Sequence, residues 1–514
     1  MIHQPFSNEP FTDFSEPANR AAMEQALSLV RGQLGRTYPL IIGGERITTE
    51  QTLASTNPAR PEEIIGYVAS ASAAHADAAL DAATAAFASW KQTPAADRAA
   101  LIFRAADEMR RRKFELCAWI IVEASKNWAE ADGDVAEAID FCSFYAHELL
   151  RLDAGYPVVQ MPGERDIVRY LPLGVGVSIP PWNFPLAIAA GMVAAPLVTG
   201  NTVVLKPSPR TPVIAAKLVE VFETAGVPPG VLNFITGTDA AIGDALVDSP
   251  KTRFISFTGS KAVGLRIYER AAKVHPGQRW LKRSILEMGG KDTQIVDETA
   301  DLDAAAQAIV AAAFGFQGQK CSACSRVVAT APIYDALLQK VVERASKLVV
   351  GDASDPETDV GAVIDERSLT NIQRYLDLGA SEGRLVLGGE TDGNIVQPTI
   401  FADVPPAGRL SQEEIFGPVL SFIRAEDFDA ALAIANNTEY GLTGGLFSRD
   451  SARLARARDE LFVGNMYLNR KITGAMVGAH PFGGFHMSGT DSKAGGYDYL
   501  LLFTQAQSIA ERIG

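Results

Sequence analysis

Cysteine is scarce in this chain: four thiols, Cys117, Cys142, Cys321 and Cys324, among 514 residues. They are too few and too scattered to staple a protein of this length with disulfides, so reduced thiols are expected. Positive charge is in deficit as well. Lys and Arg number 47 against 61 Asp and Glu, a net charge of -14. A polyphosphate backbone is bound by clustered cations that displace its counterions, so nucleic acid is set aside as a partner. The start, MIHQPFSNEP, lacks both the basic-then-apolar order of a secretory signal and the arginines of a transit peptide, and a cytoplasmic location is expected. On that reading the sequon Asn436-Asn437-Thr438 is a chance match.

An uninterrupted membrane span is missing too. Leu171 to Leu205 carries no charged residue and is long enough to cross a bilayer. It is, however, broken by Pro172, Pro180, Pro181, Pro185 and Pro196 and by several glycines, which would leave backbone groups unsatisfied in lipid. A buried strand, turn and helix is the better reading, and no membrane partner is expected. Fixed-period repeats and low-complexity tracts are also absent, which excludes solenoids and long linkers.

What remains is a chain of 47% hydrophobic residues, long enough for two or three structural units. Residues 15–35 read as a first helix, with Ser15 as N-cap, Met23, Leu27, Val30 and Leu34 on one face and Gly35 as the stop. Further helical runs place Leu80, Phe87 and Trp90 on one stripe, extend from Asp97 to Lys113, and cover Asp134 to Leu150. Between Gly174 and Val296 the pattern changes to short β-rich runs (GVGVSI, TVVLKP, VLNFITG, FISFTG, SILEMGG) alternating with helical stretches. That alternation predicts a doubly wound parallel sheet. Ligands of such sheets sit at the carboxyl ends of the strands, here Pro180–Phe184, Lys206–Ser208, Thr258–Ser260 and Glu287–Gly290. A second α/β run begins at Asp301 and continues to about His480, its Ala-rich helix leading into QGQKCSACSR.

Two motifs carry chemistry without deciding it. Gly259-Ser-Lys-Ala-Val-Gly264 has phosphate-loop glycine spacing but continues with Leu265-Arg266, so it is not a Walker loop; a strand feeding a helix start can still offer N–H groups to a pyrophosphate, or be an ordinary turn. Cys321 and Cys324 form a C-x-x-C pair, which admits redox or zinc chemistry. There is no second Cys pair and no nearby histidine, so no metal is expected. Cys117, Cys142 and Cys324 read as small buried apolar residues. Cys321 stands apart, with Lys320 before it and Gly318 expected to give close backbone access. Taken alone, Asn183 would be a turn-former and Glu287 a solvated helix cap.

The segments IPPWNFPLAI, VLKPS, SFTGS, LEMGGKD, GQKCSACSR, EEIFGPVL and PFGGFHMSGT follow the order and spacing of the aldehyde dehydrogenase superfamily, and the chain resembles it from about Tyr38 onward. The 34 residues from Glu287 to Cys321 match that family's spacing between general base and nucleophile. The resemblance implies an α/β fold of two doubly wound Rossmann-like domains plus a β-flap oligomerisation element. Its parts would be an N-terminal helical extension (1–37), an NAD-binding domain (38–150 and 170–287), a catalytic domain (288–485) and a flap (151–169 and 486–514). It implies Cys321 as nucleophile, Glu287 as base and Asn183 as oxyanion donor. Ile179, Pro180, Lys206, Ser208, Gly259, Ser260, Gly289, Glu414 and Phe416 are the implied cofactor contacts. The position three after Lys206, acidic in many NAD-specific relatives, is Pro209. The resemblance implies NAD, and NADP more weakly, since no acid at that position would repel a 2′-phosphate.

The N-terminal extension, DVAEAIDF, QKCSACSR and NRKITGAMVGAHPFGGFHMSGTDSKAGG are similar to the L-glutamate γ-semialdehyde (1-pyrroline-5-carboxylate) dehydrogenase family. This implies a monofunctional enzyme of proline breakdown in which Ser322, Gly474 and Ala475 hold the substrate carboxylate, Phe184 and Phe482 enclose its chain, and Glu137 meets its ammonium. It also implies a homodimer or a higher homo-oligomer such as a hexamer. The alternatives are a different semialdehyde as substrate, or a thiol-disulfide oxidoreductase built on the Cys321/Cys324 pair.

Overall fold

A computed structural model describes residues 5–513; the first four positions of the expected extension and the last of the expected flap lie outside it. Two seven-stranded sheets organise the chain. The first runs, edge to edge, Arg283–Glu287, Phe254–Thr258, Val175–Ile179, Thr202–Leu205, Leu232–Phe234, Leu40–Ile42 and Glu45–Ile47. Its first five strands are parallel, and an antiparallel hairpin closes the far edge. Thr202–Leu205 is buried at every position, as a β-branched run covered on both faces must be. Close packing also demands glycine at one point: a Cβ on Gly176 would lie 1.9 Å from the Phe254 ring.

The charge-free segment resolves as expected into the strand Val175–Ile179, a proline-rich turn, the helix Ala187–Val198 and the strand Thr202–Leu205. Among the described residues no helix is long and apolar enough to cross a membrane.

The second sheet runs Arg384–Leu387, Thr399–Ala402, Val419–Ala425, Cys324–Thr330, Asp292–Val296, Thr443–Phe447 and Asn465–Leu468. All neighbours are parallel except the first pair. The Ala-rich helix Leu302–Phe314 is capped by Asp301, whose side chain accepts from Asp303 N and Ala304 N. It leads into a short turn, Gly315–Gly318, in which Phe316 and Gln317 adopt left-handed φ of 49° and 55°.

Several expectations are corrected. The first helix is Pro17–Arg31, with Glu16 at the N-cap and Pro17 in its first turn; Ser15 bonds Asp13 instead. The run from Asp97 to Lys113 is split, because Arg112 leaves helical geometry between Ala95–Arg111 and Lys113–Ala124. The helix read as Asp134–Leu150 begins earlier, at Trp128, where Asn127 accepts from Glu130 N. A three-stranded sheet within residues 36–69 went unread. In the segments expected to form the flap, Glu164–Pro172 pairs antiparallel with the distant strand Thr504–Arg512 across nine residue positions, and Tyr156 adds an isolated antiparallel bridge to Val168.

Candidate active site

A cavity of about 410 Å3 opens between the two sheets, and Glu287, Cys321, Ser322, Phe184, Glu137, Gly474, Ala475 and Phe482 all line it. Residues spread over more than 340 positions of sequence thus face one volume. Glu287 ends an edge strand of the first sheet, while Cys321 lies in the turn before the strand Cys324–Thr330 of the second.

The two cysteines part company here. Cys321 is partly exposed at the cavity, whereas Cys324 is 1% exposed in the core behind it. Both thiols are free and burial pushes both upward, Cys324 to about 12. A redox-active C-x-x-C cysteine needs the opposite shift. Around Cys321 the carboxylates Asp292, Glu414 and Glu287 add to the upward push, so the resting group is a neutral thiol that needs a base.

Glu287 is placed to be one. Ser492 Oγ donates to its Oε1 at 2.5 Å, yet Oε2 is buried with no hydrogen-bond partner. Desolvation outweighs the hydrogen bonds and raises its pKa to about 8. The expected solvated cap is therefore a desolvated carboxyl with one oxygen uncommitted. Asn183, 4% exposed, donates its Nδ2 to Gln319 O at 3.0 Å, two residues before Cys321.

Gly318 does not provide open access to a ligand. A Cβ there would come 2.4 Å from Gly417 O, so its glycine allows the Cys321 turn to press against the Glu414–Gly417 loop. Gly259 is corrected in the same way. Its N–H donates to Glu287 O at 3.0 Å and a Cβ would meet the Phe257 ring at 2.6 Å, which leaves the helix start at Ser260, N-cap of Lys261–Ala271, as the place for an anion.

The remaining expected cofactor positions gather at the carboxyl edge of the first sheet and across from it. Ile179 and Pro180 close one strand, and Lys206 and Ser208 follow the next. On the opposite side, Glu414 Oε1 accepts from Gly290 N at 3.1 Å, and a Cβ on Gly289 would lie 2.2 Å from Glu414 Oε2. Phe416 adopts a left-handed φ of 60° and stands edge-on to Trp182.

Glu137, expected to meet a substrate ammonium, is raised to about 8, by desolvation first and then by Asp134. The motifs did not point to the charges around it. Lys126 and Asp134 are both fully buried and pair at 3.0 Å, with the ammonium 3.6 Å from the centroid of the Phe184 ring; Asp134 also accepts from Ala187 N at 2.7 Å. Lys320 pairs with Glu130 at 2.6 Å. Phe11 and Thr12 of the N-terminal segment line the same cavity, Thr12 being held by both oxygens of Asp132. An acidic residue at 3.6-residue spacing on an apolar helix was the available signal for Glu130, Asp134 and Glu137. Nothing local marked Phe11.

This geometry agrees with what the chain is similar to. A 1-pyrroline-5-carboxylate dehydrogenase of Anoxybacillus flavithermus is 58% identical over 511 residues, 99% of each chain. The crystal structure of 1-pyrroline-5-carboxylate dehydrogenase from Thermus with bound NAD superposes with a TM-score of 0.98 at 51% identity, covering 100% of both chains. Proline utilization A from Bdellovibrio bacteriovorus matches at 44% identity and a TM-score of 0.98, covering 100% of this chain but 54% of that one. The sequence model of the aldehyde dehydrogenase family spans residues 46–509, enclosing the thiol, the carboxyl and both sheets except the hairpin at the far edge of the first, and the chain belongs to that family.

Proposed function

We propose that the protein oxidises L-glutamate γ-semialdehyde, in equilibrium with 1-pyrroline-5-carboxylate, to L-glutamate with NAD as the oxidant, in proline catabolism. The observation that carries the proposal is the single cavity lined by the Cys321 thiol and the Glu287 carboxyl together with the Glu137 carboxyl, Ser322 and the Gly474–Ala475 loop. A zwitterionic aldehyde needs this set: a nucleophile at one end, and at the other an acceptor for its ammonium and donors for its carboxylate.

The proton inventory orders the steps. Cys321 rests as a thiol, so its proton leaves toward Glu287 as sulfur attacks the aldehyde carbon and a thiohemiacetal forms. Asn183 Nδ2 carries two hydrogens and commits one to Gln319 O; the second, with the Cys321 backbone N–H, serves the developing oxyanion. NAD, when bound, supplies the acceptor for the hydride that leaves the thiohemiacetal carbon. Glu287 then releases the thiol proton to solvent and, as carboxylate, takes a proton from water while the hydroxide adds to the thioester; collapse expels the Cys321 sulfur as thiolate, which regains a proton from Glu287 as glutamate leaves.

The residues present fit a dinucleotide. Lys206 offers an ammonium, Ser260 a hydroxyl at a helix start, and Glu414 a carboxylate with Oε2 left for ribose hydroxyls, in a space that Gly289 keeps clear. We assign the first sheet to cofactor binding and the second to catalysis. The two-stranded ribbon is assigned to homo-oligomer formation, because Tyr156, Val159, Met161, Ile167 and Ile513 expose apolar surface on or beside it. A cytoplasmic location belongs to the same proposal.

The test is NADH formation with pyrroline-5-carboxylate, succinate semialdehyde and acetaldehyde. A strong preference for the first is expected. Equal rates on all three would overturn the substrate assignment.

A further inference from the structure

Lys206 follows the parallel strand Thr202–Leu205 and is 1% exposed. An ammonium so deeply buried calls for a counter-charge. Its own loop supplies none, since the residues after it are Pro207, Ser208 and Pro209. The counter-charge comes from the loop after the neighbouring strand Leu232–Phe234: Asp239 Oδ1 lies 2.5 Å from Lys206 Nζ. The pair has an inside and an outside, for the Asp239 side chain is 71% exposed. The nearest guanidinium along the chain, Arg210, is committed to Asp365.

We propose that Asp239 makes this site discriminate against a 2′-phosphorylated nicotinamide cofactor. The proposal rests on the assignment of Lys206 to the adenosine ribose. A free 2′-hydroxyl can donate to a carboxylate and accept from an ammonium, so both partners stay satisfied when such a ribose is seated. A 2′-phosphate brings about -1.5 to -2 charges and no strong donor. Lys206 alone would attract it. With Asp239 bonded to Lys206, the ammonium is already neutralised and the phosphate oxygens would face a carboxylate. The acid absent at position 209 is thereby replaced in function from a different loop.

The experiment measures Kd for NAD and for NADP by isothermal titration calorimetry on the full chain, on Asp239→Asn and on Lys206→Met. Asp239→Asn keeps the side chain's shape at an exposed position, and its Tm is checked alongside. Its ratio of NADP to NAD dissociation constants is expected to fall about tenfold, through tighter NADP binding. A ratio within about twofold of the parent protein would overturn the proposal. Lys206→Met locates the failure. Unchanged NAD affinity in that variant overturns the ribose assignment and the proposal with it, while weakened NAD affinity beside a silent Asp239→Asn overturns the role of Asp239 alone.

Discussion

Two sets of buried charges, of which Glu130, Lys320 and Glu287 line the cavity, are treated in opposite ways. In the helical layer the charges are closed into pairs: Lys126 with Asp134 and Lys320 with Glu130, while Glu123 accepts from Ser55 Oγ and from the N–H groups of Val213 and Ile214. At the junction of the two sheets they are left open. Glu287 Oε2, Asp292 Oδ2 and Lys291 Nζ are buried without partners, and Lys291 falls to about 7 through desolvation and the nearby Arg326. An unsatisfied buried polar group costs about 1–3 kcal/mol and more when charged. Closed pairs brace the cavity wall, whereas open groups keep lone pairs and protons available to a ligand, at a standing cost in stability.

The sharpest way to break this contrast is at its centre. Cys321→Ala is expected to lower turnover by at least about 10^4-fold with little change in Tm; a variant that retained measurable steady-state NADH formation would overturn the nucleophile assignment. On the closed side, Lys126→Met leaves Asp134 buried without its cation and the Phe184 ring without its ammonium. A stability loss of roughly 3–5 kcal/mol is expected by urea denaturation, and an unchanged midpoint would mean that the pair braces nothing.

Glu287→Gln should lower kcat by roughly 10^2–10^3-fold. The same substitution has a signature in stability. The carboxyl ionises near 4.5 in the unfolded chain but near 8 in the native protein. Between those values the unfolded chain has released a proton that the native state still holds, so the contribution of this group falls as pH rises through that window. Glu287→Gln should therefore raise Tm relative to the parent at pH 8 and not at pH 4, a difference readable by scanning calorimetry. Loss of activity with a lowered Tm at both pH values would instead mark Glu287 as structural.

Smaller effects are expected at the substrate end. Glu137→Gln should raise KM for pyrroline-5-carboxylate about tenfold while leaving KM for succinate semialdehyde, which has no ammonium, unchanged. Equal shifts for both substrates would remove Glu137 from ammonium recognition. Phe11→Ala should raise KM about threefold by opening the wall that the N-terminal segment provides, and no change would confine Phe11 to the surface.

The parts of the fold that were legible share one property: their signal is local. The β-rich runs from Gly174 to Val296 became the strands of a parallel sheet because Val, Ile and Phe repeat there with no charge except at the ends of the edge strand Arg283–Glu287. The strands within residues 36–69 were missed because they are short or carry charged residues, exposed at Glu45, Arg46 and Glu62 and half-buried at Glu63. The two segments of the ribbon were grouped by resemblance alone, because Glu164–Pro172 finds its partner at Thr504–Arg512, and a ladder closed over so long a loop leaves no trace in either segment. Gly259 and Gly318 were read as ligand-facing, although each answers to a neighbour, the Phe257 ring in one case and Gly417 O in the other. Glycine reports a need for space and not what fills it.

The amino-acid order alone determined which side chains could do chemistry. A thiol after Lys320, a carboxyl ending SILE and an amide after two prolines carry their reactivity in their own atoms, and the motifs that resemble a family are strings of adjacent residues. Tertiary structure decided which of them meet and in what protonation state. Desolvation and charge at a distance make Cys321 a resting thiol and raise Glu287 to about 8, and they depend on atoms drawn from both sheets. The same holds for Asp239 beside Lys206 and Lys126 beneath Phe184. Coulombic energy and burial follow distance in space, and folding sets that distance independently of separation along the chain.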